Sequence, residues 1–425
     1  MASAAPARKD HFIAPSRLCI GLYVHLDLPW TDHPFTFSSF RIKGLDQIAD
    51  IQALGLERIR YSPDKSEADP LPETAPAPAP AATGDREETA ALKAKRERLQ
   101  RVAAHHARVA SCERQLMSNA KAVKAITQNM FARPAEAGQD AARLADALAA
   151  SMLVDADVAV HLVADKIGNE DVYHHSLNVA LMSMLLAKEL KAPAEAVRLI
   201  GLGALLHDVG KADIPDRVLH KNSPLTKPEL ALLQQHCAAG VAIGRKMGLP
   251  PEALTIIEQH HEQTDGSGYP AGLDGAQMNL LARIVSLVNA YDNLCNPTNP
   301  ALALTPHVAL STLFGQRRGQ FDATAMATFV RILGVYPPGT VVTLSNGTIA
   351  MVVSVNASRP LKPTVVVYDP AVPRREAMVV DLEEEPDVTI TKTLRPQQLP
   401  PAVHDYLSPR RRMTYGVDSE AGPRA

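Results

Sequence analysis

Residues 204–215 read ALLHDVGKADIP. The apolar run VRLIGLGALLHD has helical spacing, and it stops at the pair His207-Asp208, because Gly210 and then Pro215 interrupt any continuation. A helix C-terminus carries the negative end of the peptide dipole and favours a bound cation. A histidine followed by an aspartate offers a neutral imidazole and an anionic carboxylate side by side, a ligand mixture suited to iron, manganese or zinc. Lys211 follows Asp208 by three residues. Taken alone, the stretch also reads as an ordinary hydrogen-bonded helix end, so the rest of the chain decides.

Other histidines fall in similar company. Eight of the fifteen lie between residues 161 and 261. His175 follows Asp171 by about one helical turn, so the two side chains share a face. His236 sits inside LLQQHCAAG, an apolar stretch with no packing need for an imidazole. His260 and His261 would project ~100° apart on a helix, so they serve one site only where a helix ends. The turn-rich continuation EQTDGSGYP, residues 262–270, supplies such an end. A single histidine on an apolar helix face is more often a hydrogen-bonded core residue than a ligand. His161, His174 and His220 are read that way, and His105 and His106 as solvated. The ordered set Asp171/His175, His207-Asp208, His236 and His260-His261 points instead to a metal site.

Composition narrows the class. The chain has 425 residues, 46% apolar content and a formal net charge of -2, so no global field argues for nucleic acid or an acidic membrane. No apolar run approaches the ~18 residues of a membrane span, and the N-terminal MASAAPARKDHF lacks a signal-peptide core. The four cysteines, Cys19, Cys112, Cys237 and Cys295, form no CxxC pair, which fits a reducing cytoplasm. Aromatics are only 4% while Ala and Leu abound, which favours helix for the bulk of the fold.

The texture changes along the chain. Residues 8–66 read as a small α+β module, with alternating segments in LCIGLYVHLDL and FTFSSFRI. Residues 67–84, rich in Pro and Ala, read as a linker. Residues 85–139 are expected to be a long helix. Val102, Val109, Leu116, Val123 and Met130 recur every seven residues, while the partner stripe is mixed. That pattern fits a homodimer through residues 85–131 or a helix packed on its own domain. Residues 140–335 are expected to be helical throughout. Residues 336–400 switch to strands, with a hairpin turning at Asn346-Gly347, and residues 401–425 read as a disordered tail.

HDVGKADIP, then LT at 225–226, then HHEQTDGSGYPAGLDG resembles the HD-GYP subfamily of the HD superfamily of metal-dependent phosphohydrolases. Those domains are cyclic di-GMP phosphodiesterases, and the resemblance spans about residues 165–295. Residues 11–66 are similar to the small domain of unknown function often found before HD-GYP domains, and residues 336–400 to their usual C-terminal extension. The resemblance implies a mainly α protein: an all-helical HD-type domain with a small N-terminal α+β module and a small C-terminal β module. It implies that His175, His207, Asp208, His236, His260 and His261 hold two divalent metal ions, iron or manganese, with Asp208 bridging. Asp171 stands where some members use a carboxylate to help hold a third. Lys211 would neutralise phosphoryl oxygens, and Gly268, Tyr269 and Pro270 would shape the substrate lip. Two such metals can share a hydroxide and clamp both sides of an in-line displacement at phosphorus. Glu262 or Asp265 could orient ligand imidazoles or simply cap a polar loop.

The pattern breaks twice. Members usually carry an aspartate ligand where this chain has Asn289, in RIVSLVNAYDNL, and Asp292 is the nearby residue available to compensate. Many members carry an Arg-Pro-Tyr-basic run where this chain reads CNPTNPALALTPH, and no Arg or Lys occurs between Arg283 and Arg317. Phosphate grip would then rest on the metals, Lys211 and Arg283. The expected function is hydrolysis of cyclic di-GMP to pGpG and on to GMP. The alternatives are a catalytically weakened module that binds cyclic di-GMP or signalling partners, and a phosphohydrolase of another nucleotide.

Overall fold

The computed structural model describes residues 11–28, 32–72, 84–153, 159–162, 171–221, 223–355, 360–407 and 415–418. The chain divides into one unit of residues 1–105, 344–348 and 367–380, and a second of residues 106–343, 349–366 and 381–425.

The first unit begins with strands β1 (His11–Ile13), β2 (Tyr23–His25) and β3 (Ser39–Arg41), helix α1 (Leu45–Ala53) and strand β4 (Ile59–Tyr61). The strands form an antiparallel sheet in the order β1-β4-β2-β3. Leu22, Val24, Ile42 and Ile59 meet Ile48 and Ile51 of α1 in its core. Composition alone put the linker at residues 67–84. Its first residues are instead part of this unit: the Glu67 N–H donates to Gly21 O, and the Leu71 N–H to Arg17 O, both at 2.9 Å. Side chains there add little apolar bulk, but the backbone still offers donors. Residues 73–83 of the expected linker lie outside the described residues.

Helix α2 (Gly84–Asn129) is followed by α3 (Pro134–Leu153). Leu116, Ala120, Val123 and Ile126 of α2, with Met130 just beyond it, are buried within the single chain. Over that stretch the apolar stripe is covered from inside the protomer, which is the helix-on-its-own-domain reading.

The second unit continues with β5 (Ala159–Leu162), α4 (Asp171–Glu189), α5 (Ala194–Leu206), α6 (Asp216–Leu219), α7 (Lys227–Gln234), α8 (His236–Lys246), α9 (Pro251–Gln259), α10 (Leu280–Cys295), α11 (Pro306–Gln316) and α12 (Ala323–Leu333). Helix α5 is its axis. All residues from Ile200 to Leu206 are buried, as expected of a helix that is apolar on every side. Neighbouring helices come close through its glycines: a Cβ on Gly201 would lie 2.7 Å from Met184 Sδ of α4, and one on Gly203 would lie 2.8 Å from the Ile256 side chain of α9. No helix among the described residues is long and apolar enough to cross a membrane.

The remaining elements are β6 (Val341–Leu344), β7 (Ile349–Val355), β8 (Thr364–Val367), β9 (Val379–Asp381), β10 (Ile390–Leu394), α13 (Pro401–Leu407) and β11 (Tyr415–Asp418). The sheet runs β10-β6-β7-β5-β11, with β8 also beside β7. Two expectations are corrected here. The stretch 140–335 is not wholly helical, because Ala159–Leu162 forms β5, with Val160 opposite Val355 of β7. The tail is not wholly disordered either: Pro401–Leu407 is helical, and Val417 of β11 pairs with Val160. Each segment is too short to signal a strand alone; the unpaired backbone edge of β7 recruits β5, and β5 recruits β11.

Gly203→Ala forces a methyl against Ile256 and is expected to cost ~1–3 kcal/mol by overpacking. A thermal melt should show Tm lowered by at least about 2 °C, with helical circular dichroism retained. An unchanged Tm contradicts the α5–α9 contact.

Candidate metal centre

Helix ends deliver the site. His207 caps α5, and Asp208 follows it (φ -99°, ψ 7°) into a 3₁₀ turn over Val209–Asp213. That turn presses on the start of α8: a Cβ on Gly210 would lie 2.0 Å from His236 O and 2.4 Å from Gly240 N. Only glycine fits there. His236 is not mid-helix, as its apolar surroundings imply, but begins α8 directly after α7 ends. His260 caps α9, so His261 has already left the helix and the angular objection to using both rings disappears. His175 comes from α4, and Asn289 and Asp292 come from α10.

Asp208 is the hub. Its Oδ2 lies 3.4 Å from His207 Nε2 and 3.6 Å from His175 Nε2. Its Oδ1 lies 3.5 Å from His236 Nε2 and 3.7 Å from His260 Nε2. Two donor sets thus share one carboxylate. One is His175, His207 and Asp208; the other is Asp208, His236, His260 and His261, each with donor atoms within 4.8 Å of one another.

Protonation makes these sets demand a cation. The Nδ1 atoms of His207, His236 and His260 donate to the carbonyls of Ala204, Leu233 and Ile257, at 2.6, 2.7 and 2.8 Å. A neutral imidazole with its proton on Nδ1 presents a bare lone pair at Nε2. Yet His236 Nε2 and His260 Nε2 approach to 3.2 Å, as do His175 Nε2 and His207 Nε2. Burial pushes His260 down to about 3 and lowers His236 and His261, so extra protons do not relieve the conflict between His236 and His260. Burial alone would raise the Asp208 pKa; the Lys211 ammonium and the surrounding histidines hold it well below the carboxylate range. Asp208 Oδ1 is buried with no hydrogen-bond partner. Facing lone pairs around an orphaned carboxylate oxygen fit divalent transition metals, and imidazole with carboxylate suits iron, manganese or zinc.

The other expected site residues divide. Lys211 Nζ lies 2.6 Å from Asp208 Oδ2, with its side chain 35% exposed, so it stands at the mouth. The Tyr269 ring stacks on His261, with centroids 4.5 Å apart, and its N–H donates to His261 O at 3.2 Å. Gly268 is squeezed against the preceding strand of loop, where a Cβ would lie 2.4 Å from Gln263 N. Pro270 is exposed at the rim. Asn289 is buried, and its Oδ1 accepts from Asn293 Nδ2 at 2.8 Å. Asp171 opens α4, but its side chain lies outside the described residues.

One expectation is corrected, and two open alternatives are decided. Arg283 does not face the site: its Nη1 is 3.4 Å from Asp322 Oδ2 and its Nη2 donates to Met278 O at 3.2 Å, so it braces the N-cap of α12. Asp292 joins neither donor set. Its Oδ2 receives His175 Nδ1 at 2.6 Å, while its Oδ1 accepts from Asn178 and Asn296 at 3.0 Å each. It aims a ligand instead of replacing one. Glu262 and Asp265 orient no imidazole. Glu262 accepts backbone N–H bonds from Ala271, Gly272 and Leu273 at 2.6–3.1 Å, and Asp265 Oδ1 accepts from the Ser267 N–H at 3.0 Å. Both shape the lip. Sequence reasoning also passed over Arg317, which lines a cleft of about 230 Å³ with His260, His261 and Asn289. Its only signal was its position as the first cation after a long gap.

Residues 157–325 match the HD domain family, residues 11–141 a domain of unknown function (DUF3391), and residues 341–401 a KOW domain associated with HD domain. The DUF3391 match continues past residue 66 through α2. The cyclic di-GMP phosphodiesterase PA4108 of Pseudomonas aeruginosa is 31% identical over 379 residues, 84% of this chain and 84% of its own. The cyclic di-GMP phosphodiesterase response regulator RpfG of Xanthomonas campestris pv. campestris is 37% identical over 149 residues, covering 35% of this chain and 39% of its own. The 3'3'-cGAMP-specific phosphodiesterase 1 of Vibrio cholerae is 34% identical over 122 residues, covering 29% of this chain and 28% of its own.

Asp292→Asn keeps the shape but loses the charge that aims His175. Metal affinity, measured by competition with a chromophoric chelator, should fall ~10–100-fold. Wild-type affinity in this variant would contradict the aiming role.

Proposed function

We propose that this chain, which belongs to the HD-GYP subfamily of HD-domain phosphohydrolases, hydrolyses cyclic di-GMP to linear pGpG and on to GMP. The observation that carries the reading is the Asp208 carboxylate, whose two oxygens each face a different histidine pair. In this reading His175, His207 and Asp208 hold one divalent cation. Asp208, His236, His260 and His261 hold a second, with Asn289 beside it offering an amide oxygen. Iron and manganese suit this mixture of imidazole and carboxylate. Such ions supply a nucleophile at neutral pH and neutralise charge on the phosphoryl oxygens.

The chain's own groups do the rest. Hydrolysis adds water across a P–O3′ bond, leaving a 5′-phosphate and a free 3′-hydroxyl. Lys211, already against Asp208, meets the negative charge that grows on the phosphoryl oxygens in the transition state. His207, His236 and His260 keep their Nδ1 protons on backbone carbonyls, which leaves every Nε2 committed to the centre. Tyr269, stacked on His261, gives the substrate edge a flat wall. The unpaired cysteines suit a cytoplasmic location, where this second messenger would be met.

Protein prepared anaerobically and loaded with iron or manganese should convert cyclic di-GMP to pGpG, read by chromatography; intact substrate refutes the reading. Asp208→Ala should lower turnover by at least ~10²–10³-fold with the helical fold retained. Asn289→Asp restores an anionic group beside His260 and His261, and should slow metal loss to a chelator by roughly tenfold. An unchanged rate of loss would show that residue 289 is not a ligand.

A further inference from the structure

One cation of the cleft has no task so far. Arg317 follows α11 and lines the cleft beside the metal centre together with His260, His261, Asn289 and Asn293. Its placement is built. Its Nε donates to Gln320 Oε1 at 2.6 Å, and its guanidinium lies 5.5 Å from the Phe321 ring centroid. The turn that carries it is stitched to the lip: Thr264 donates its N–H to Gln320 O at 2.9 Å and its hydroxyl to Gly319 O at 3.0 Å.

Arg317 makes no ion pair among the described residues; burial lowers its pKa, and the charge of Asp265, beyond ion-pair distance, opposes that shift only in part. A partly desolvated guanidinium with no carboxylate within ion-pair distance still gains from an arriving anion. The planar fork of its Nη groups matches a phosphate better than any point charge does. Lys211 and Arg283 are placed elsewhere. Lys211 is held by Asp208, Arg283 faces Asp322, and no Lys or Arg occurs from residue 284 to residue 316.

We propose that Arg317 binds the second, non-reacting phosphate of a cyclic dinucleotide and thereby favours two-phosphate substrates over simple phosphodiesters. The inference rests on the function proposed above. A reacting phosphate over Asp208 is met by Lys211 and the histidine-held cations. A ring with a second phosphate, lying along the cleft past His261, brings that phosphate to Arg317.

The test uses the full-length, metal-loaded protein with two substrates: cyclic di-GMP, and bis(p-nitrophenyl) phosphate, which has one phosphate. Arg317→Ala should raise KM for cyclic di-GMP by ~10–100-fold, the worth of a charge-assisted pair, with kcat changed by less than about threefold. Its loss in kcat/KM on cyclic di-GMP should exceed its loss on bis(p-nitrophenyl) phosphate by at least about tenfold. Arg317→Lys should recover only part of the difference, because an ammonium lacks the fork. An unchanged KM, or equal losses on both substrates, overturns the proposal. If the wild type cleaves bis(p-nitrophenyl) phosphate but not cyclic di-GMP, the proposed function has failed separately. Calorimetric titration of cyclic di-GMP then decides for Arg317: about tenfold weaker binding by Arg317→Ala upholds its role, and equal or absent binding overturns it.

Discussion

Four imidazole nitrogens crowd one largely buried carboxylate, and the site's architecture follows from that conflict. Nε2 lone pairs 3.2 Å apart repel each other unless a positive ion stands near both. The conflict persists because the opposite nitrogen of most rings is tied to a backbone carbonyl three residues earlier. Such carbonyls are free only near helix C-termini or at breaks. His207 and His260 therefore sit at caps, and His236 sits at the junction of α7 and α8. The requirement for a fixed tautomer thus decides where helices stop.

Bringing those ends together needs room that side chains would deny. Gly210 lets the turn after Asp208 lie on the backbone of α8, and Gly201 and Gly203 let α4 and α9 close on α5. From Ile200 to Leu206, α5 is buried around its whole circumference, so its end is placed by packing from all sides. The position of Asp208 is set by this packing. Aim is then refined by polar contacts behind the ligands, where Asp292 holds His175 while being held by Asn178 and Asn296.

The legible parts were those with local causes. His207-Asp208 announced itself by Gly210 and Pro215, and His260-His261 by the turn after them. The N-terminal sheet and the Asn346-Gly347 hairpin showed in short-range pattern. Illegible parts depended on distant partners. Arg283 and Arg317 look alike in sequence, but Asp322 claims the first and the lip seats the second. Glu262 looked like a companion to the histidines because it is adjacent to them, whereas its carboxylate points to backbone several residues ahead. Strands β5 and β11 exist because each finds the other across some 250 residues, a pairing that no window of sequence contains.

Glu262 has one more consequence. Its carboxylate holds three loop N–H groups, and its carbonyl accepts the Ser286 hydroxyl at 2.7 Å. None of these bonds uses a ligand imidazole or the Asp208 carboxylate. The rim of the cleft is thus templated by the polypeptide alone and stands before any ion arrives. A protein stripped of metal would lose its chemistry while keeping the outline of its substrate, like a lock that retains its keyway after the bolt is drawn.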